Sequence, residues 1–171
     1  AIFRENTHKP KSRHEMDAAG GGMYSAVWPG GMMLVSHAAT GRVVNANGLS
    51  FSAPAFAALT VTALDGRSLE SSGRVLVTVC GRCENTGMEF SADRRTVGRS
   101  WGGAPVRIEP VTGEVLIPGT GWKCHALKPD GTAGTEARLI REGNSTRLCL
   151  SPEYGTMWYL LRRAAGQAGR E

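Results

Sequence analysis

Long apolar runs are missing from this sequence of 171 residues, and none approaches the ~18 residues that a membrane-spanning helix needs. Sustained 3.6-residue periodicity is also missing, which argues against a helical domain. No Gly-x-Ser-x-Gly elbow, phosphate loop or Rossmann fingerprint occurs, so the common signatures of acyl transfer and of nucleotide chemistry are absent. The one triple glycine, Gly20-Gly21-Gly22, precedes a strand pattern rather than a helix and does not read as a phosphate cradle. Histidine is scarce, with four residues (His8, His14, His37 and His125), and none has an i,i+4 partner on a helix. A basic stripe interleaved with aromatics is absent as well. The net charge of +5 and the pI near 9.3 come largely from the two ends, through Arg4, Lys9, Lys11 and Arg13 and through Arg162, Arg163 and Arg170. Neither a nucleic-acid nor a membrane partner is therefore expected. No signal-peptide pattern is visible, and a start at Ala1 rather than Met is what a processed chain, or one cut from something longer, would show.

What the sequence has in quantity is glycine. Its 23 glycines are about twice the usual ~7% share, and they lie mostly singly or in pairs between short apolar runs. Glycine supplies the positive φ angles of tight turns, so this spacing implies many turns and many short strands. Leu59-Thr60-Val61-Thr62-Ala63 alternates apolar with threonine, as a strand with one wet face should. Arg74 to Cys80 is apolar at most positions on both faces and is expected to be a central, doubly covered strand. Further strands are expected at 23–28, 32–36, 42–44, 49–51, 88–90, 106–109, 114–117, 122–127, 137–140, 146–150 and 157–161. Pro29-Gly30-Gly31, Asn47-Gly48, Asp65-Gly66 and Glu142-Gly143-Asn144 mark turns between them. The expected fold is all-β: an antiparallel β-sandwich, jelly-roll-like, of roughly ten short strands. Residues 1–20 read as an irregular polar lead-in, 21–161 as the sandwich and 162–171 as a flexible tail. A chain of this size can bury roughly 70% of its unfolded surface and needs no metal or disulfide merely to fold.

Chemistry-bearing residues are few. Cys80-Gly81-Arg82-Cys83 has zinc-knuckle spacing, but Cys124 and Cys149 are not a second close pair. Three readings stay open for the cysteines: a disulfide, with Cys124 and Cys149 as the candidates; buried inert thiols; or a zinc site made of Cys80, Cys83, Cys124 and Cys149. No other metal site and no cofactor is expected. His14, Glu15 and Asp17 gather ligand types on the polar lead-in, where a solvated segment is the simpler reading. Glu84, Glu89, Asp93, Glu109 and Glu114 are acidic, yet nothing marks two of them as a glycosidase pair held ~5 Å apart. The catalytic residues are therefore unknown. The tryptophans say more. Trp122 and Trp158 lie on expected strands and read as core. Trp28 sits before a Pro-Gly-Gly turn, and Trp101 sits in the glycine-rich Gly98-Arg99-Ser100-Trp101-Gly102-Gly103. A loop tryptophan with polar neighbours offers a plane on which the C–H face of a sugar can stack. Trp101, Trp28, Arg99 and Asn85 are the candidate ligand-binding residues. Asn144-Ser145-Thr146 matches the glycosylation pattern and agrees with a surface hairpin.

The most specific text runs from RVLVTVCGRCENTGMEF through RRTVGRSWGGAPVRIEPVTGEVLIP, residues 74–118. Glu84-Asn85-Thr86-Gly87-Met88, Arg95-Thr96-Val97-Gly98, Trp101-Gly102 and Pro105 resemble the C-terminal β-sandwich domain of large bacterial glycoside hydrolases. These are multidomain cellulase- and β-galactosidase-like enzymes with a catalytic β/α barrel. A weaker likeness spans about 57–161. The departure is at Cys80 and Cys83, where the family pattern has small or aliphatic residues. In such enzymes the catalytic carboxylates belong to the barrel, which no part of this chain resembles. The resemblance thus implies a non-catalytic accessory or carbohydrate-binding domain, secreted or periplasmic, whose partner is a polysaccharide or a glycoside hydrolase catalytic domain. Two other functions are open: a small stand-alone metal-dependent enzyme acting on polysaccharide, through His14, Asp17, His37 or the cysteines, and a structural domain packing against a catalytic partner.

Overall fold

The computed structural model describes residues 13–17, 23–36, 44–46, 49–53 and 56–163. The chain is a β-sandwich. Its larger sheet has eight antiparallel strands in the order β1 (Arg13–Asp17), β2 (Met23–Trp28), β3 (Gly31–Ser36), β6 (Ala57–Ala63), β7 (Arg74–Cys80), β15 (Trp158–Arg163), β11 (Trp122–Leu127) and β12 (Ala133–Glu136). The smaller sheet runs β13 (Leu139–Glu142), β14 (Ser145–Leu150), β10 (Gly113–Pro118), β5 (Leu49–Ser52), β4 (Val44–Ala46). A separate ribbon pairs β8 (Cys83–Thr86) with β9 (Gly103–Ile108). The described residues thus hold fifteen strands, more than the ten or so that turn spacing suggested. A single 3-10 turn, Pro152–Tyr154, leads into β15. No helix among the described residues is long and apolar enough to cross a membrane.

Period-two alternation builds the core. Val75, Val77 and Val79 of β7, Leu59 and Val61 of β6, and Tyr159 and Leu161 of β15 face inward from the larger sheet. Phe51, Val115, Ile117, Leu148 and Leu150 meet them from the smaller one. Each such side chain contributes roughly 1.5–3 kcal/mol by leaving water, so the fold is held by this inter-sheet layer.

Several expectations change in detail. β7 is central, between β6 and β15, but Leu76, Thr78 and Cys80 on its other face are only half-buried, because no second layer covers that side completely. Trp122 is core, as expected. Trp158 is not, because Tyr159 and Leu161 take the inward positions of β15 and alternation turns Trp158 to the opposite face. The lead-in is not irregular throughout, since Arg13–Asp17 forms β1. It pairs along its whole length with β2, Arg13 opposite Val27 and Asp17 opposite Met23. An edge strand of this kind is held by backbone pairing and needs no apolar alternation of its own. Residues 88–90 form no strand, and only a single bridge joins Phe90 to Val97. The strand expected at 137–140 is β13, two residues later.

The last strand also extends beyond the expected boundary at 161. Arg163 closes β15 with its guanidinium 4.1 Å over the Trp122 ring, and it donates to the Pro118 carbonyl at 2.9 Å and, more weakly, to that of Glu70 at 3.4 Å. Cation–π attraction and a charged hydrogen bond each contribute about 1 kcal/mol or more. Arg163→Ala is expected to cost about 2 kcal/mol, a fall in Tm of roughly 4–8 °C for a domain of this size. Arg163→Lys should restore only part of it, because an ammonium cannot stack and fork at once. Thermal denaturation followed by circular dichroism reads both, and an unchanged Tm in Arg163→Ala would refute the pinning role.

Candidate functional site: an exposed ribbon at the seam of the sandwich

The ribbon leaves the larger sheet where β7 ends at Cys80 and returns to the smaller sheet at β10. Its root is a close backbone approach. Gly81 donates to the Glu109 carbonyl at 3.2 Å, and Glu109 donates back to the Arg82 carbonyl at 2.8 Å. A Cβ at Gly81 would stand 2.7 Å from that Glu109 oxygen, so only glycine lets the two chains meet here. Beyond the root, Cys83 pairs with Ile108, Glu84 with Arg107 and Asn85 with Val106, and an irregularity separates Asn85 from Thr86. All six residues of β9 are exposed, so the ribbon stands outside the core.

Two faces result from the alternation. One carries Cys83, Asn85, Val106 and Ile108; the other carries Arg82, Glu84, Arg107 and Glu109. Beyond the strands, the chain makes a loop of 87–102 whose arms meet through a Glu89 N–H to the Ser100 carbonyl and a Ser91 N–H to the Thr96 carbonyl. Asp93 caps its tip. It accepts from the Ser91 hydroxyl at 2.6 Å and from the Arg95 N–H at 3.2 Å, and these bonds hold its carboxyl below the usual range.

Trp101 is 60% exposed, the most exposed large hydrophobic side chain among the described residues. Its backbone is nonetheless fixed. The Asn85 side-chain amide donates to the Trp101 carbonyl at 3.0 Å, and the Trp101 N–H donates to the Arg99 carbonyl at 3.2 Å. Gly102 follows at φ +65°, where a Cβ would fall on the Thr86 carbonyl oxygen and 2.6 Å from Met88 N. The Thr86 hydroxyl donates to the Pro105 carbonyl at 2.8 Å. Ordinarily an exposed tryptophan is free to collapse onto its surroundings; here the loop is braced beneath it.

Of the candidate ligand-binding residues, Trp101, Arg99 and Asn85 are therefore brought together, and Trp28 is not. Trp28 ends β2 over Gly31, where an added Cβ would stand 2.6 Å from its ring. Through Gly31, Thr62 and Leu76 its row reaches β7 four residues before Cys80, roughly 13 Å along that strand from the ribbon's root and three strands across. Its half-buried ring covers a glycine instead.

The cysteines are also separated. All four are free thiols. Cys124 faces the core from β11, whereas Cys149 alternates with the inward Leu148 and Leu150 of β14 and turns away from it. The disulfide reading for these two is not met, because they sit on different sheets and point in different directions. The four-cysteine zinc alternative fails for the same reason, and among the described residues no three His, Cys, Asp or Glu side chains gather as metal ligands. Cys80 and Cys83 remain near each other. Burial, and then the neighbouring Cys83, push the Cys80 thiol up. His14 and Asp17 fall on β1, and His37 lies outside the described residues.

Sequence reasoning missed Val106 and Ile108, exposed by 56% and 40% on the Asn85 face. It also missed a cleft on the Glu84 side, lined by Arg82, Cys83, Glu84, Phe90, Asp93, Arg94 and Arg95, with a volume of about 670 Å³. The arginines were visible in the text, but they are scattered along it.

No family model, curated protein or solved structure matches this chain.

Proposed function

We propose that this chain is a non-catalytic accessory β-sandwich of a glycoside hydrolase that binds carbohydrate through the ribbon at Trp101. The observation that carries the reading is a tryptophan exposed by 60% on a loop whose backbone is braced on both sides. A solvent-facing indole on a fixed backbone leaves little loop freedom to lose when a sugar ring stacks on it, which suits a shallow glycan site. The Asn85 amide and Arg99 supply polar groups next to it. The resemblance of residues 74–118 to the accessory sandwich of such enzymes agrees with it, and a secreted or periplasmic setting goes with the same reading.

Affinity electrophoresis against a polysaccharide panel tests it. At least one polymer is expected to retard the protein, and Trp101→Ala is expected to weaken that retardation at least about tenfold, ~1.4 kcal/mol, with Trp101→Phe intermediate. No retardation by any polymer, or retardation indifferent to Trp101, would sink the reading.

A second reading is favoured by Val106 and Ile108. Aliphatic side chains exposed on the ribbon that carries Trp101 suit the apolar centre of a protein contact, so the same ribbon would pack against a catalytic domain.

A further inference from the structure

We infer that the cleft on the Glu84 side of the ribbon receives the acidic group of a charged sugar, so that the polysaccharide held at this ribbon is anionic rather than neutral. This rests on the glycan-binding reading and names its ligand class.

Arg82, Arg94 and Arg95 line the cleft of about 670 Å³. A neighbouring recess of about 280 Å³ is lined by Arg82, Glu84, Arg107, Ile108 and Glu109, so Arg82 and Glu84 form the wall between the two. The acidic groups there are engaged. Glu84 pairs with Arg94. Asp93 is turned into its own loop by the Ser91 hydroxyl and the Arg95 N–H. Glu109 faces the backbone N–H of Arg82 at 3.4 Å. No acidic side chain among the described residues pairs with Arg82, Arg95 or Arg107.

Arg94 is part of the wall rather than a free cation. Its guanidinium lies 4.3 Å over the Phe90 ring and on Glu84, and the Arg94 backbone N–H donates to the Ser91 carbonyl at 2.8 Å. These contacts hold it at φ +55°, the only positive φ of a non-glycine residue among those described. A non-glycine residue in that region is strained and persists where several contacts over-determine it. The tip is thereby folded back over β8, which carries Arg95 to the same cleft as Arg82. Arg82 and Arg95 line one cleft with no acidic partner among the described residues, and planar guanidinium N–H donors suit the oxygens of a carboxylate or sulfate.

The experiment uses affinity gels of polygalacturonate (carboxylate), dextran sulfate (sulfate ester) and the neutral polymers xylan and galactomannan. The variants are Arg82→Ala/Arg95→Ala and a control, Arg67→Ala/Lys123→Ala, which removes the same charge from exposed positions elsewhere on the sandwich. An acidic polymer is expected to retard wild type and control alike. It should retard Arg82→Ala/Arg95→Ala at least tenfold less, with the difference lost in about 0.5 M salt. Retardation by polygalacturonate alone assigns a uronate, and by dextran sulfate alone a sulfate ester. Equal weakening of both double variants would overturn the inference, since general basicity would then explain it. Retardation by neutral polymers only, dependent on Trp101 but not on Arg82 and Arg95, overturns the inference and leaves the glycan reading standing. Retardation by no polymer overturns both.

Discussion

Gly102→Ala is expected to abolish the polysaccharide retardation proposed for the ribbon, more completely than loss of the Trp101 ring itself, while Tm stays within about 2 °C of wild type. The glycine sits at φ +65°, and its α-carbon is so close to the Thr86–Met88 backbone that a methyl group would overlap a carbonyl oxygen. Both terms act together. The left-handed region costs an alanine roughly 1 kcal/mol or more, and the overlap can be relieved only by moving backbone. Opposing this are a few ribbon hydrogen bonds, each contributing about 1 kcal/mol. The Asn85 bond to the Trp101 carbonyl lies next to the collision and is the first to break. The loop then loses the brace that keeps the indole in place, and Arg99 is displaced with it. The core is untouched, because every residue of β9 is already exposed. Affinity electrophoresis and thermal denaturation on the same preparation read the two halves. Wild-type binding by Gly102→Ala would refute the braced-platform account. A fall in Tm beyond about 6 °C would show instead that the ribbon unfolds with the sandwich.

At the other end of the pH scale, the sandwich is expected to lose on the order of 4 kcal/mol of stability between pH 9 and pH 12 through one thiol. Cys124 faces the core between the sheets. Burial, and then the nearby Glu136 carboxylate, raise its thiol from an ordinary value near 9 to about 12. The sign follows from which state ionises first. Below pH 9 the thiol is protonated in both states and has no effect on the balance. As the pH rises toward 12 the unfolded chain forms the thiolate and the folded chain resists it, so unfolding is favoured progressively. Tyr159, also raised to about 12 by burial, pulls in the same direction above its ordinary value of 10. Urea unfolding at pH 7, 9, 10.5 and 11.5 measures the slope, with Cys124→Ala as the comparison. The variant should be weaker by about 1 kcal/mol at pH 7 through lost packing, and should lose less stability than wild type at alkaline pH. Parallel alkaline limbs would rule out Cys124 as the source. A thiol reagent at pH 8 gives an independent check: exposed Cys83 should react in the native protein, and Cys124 only when it unfolds.

The sandwich was legible in the text for a simple reason. Alternation and glycine turns are local, and Leu59–Ala63, Arg74–Cys80 and Trp122–Leu127 carry them within a single strand each. What alternation cannot supply is pairing across distance. β1 has no apolar pattern to announce it and exists because β2 offers an edge. Trp158 reads as core until Tyr159 and Leu161 claim the inward positions. The cysteines had three readings in the sequence, and only the placement of Cys124 and Cys149 on different sheets separated them.

The site divides in the same way. That Trp101 stands in a glycine-rich loop with Arg99 nearby was determined by the sequence, because the glycines that expose it are its own neighbours; Asn85, sixteen residues away in the chain, meets it only through the folded ribbon. That Trp28 does not join it was decided by the sheet, which places it near the opposite end of the strands. Arg82, Arg94, Arg95 and Arg107 make no stripe along the chain, so a search for linear basic patterns passes over them. Arg82 and Arg107 share a face through the pairing of β8 with β9, and Arg94 and Arg95 reach Arg82 because the tip at 91–96 folds back over β8 onto Glu84 and the Phe90 ring. Local chemistry therefore gave the strands, the turns and one exposed tryptophan. The tertiary structure alone chose which distant side chains face one another, since that depends on strand order and on one backfolded loop that no short-range pattern records.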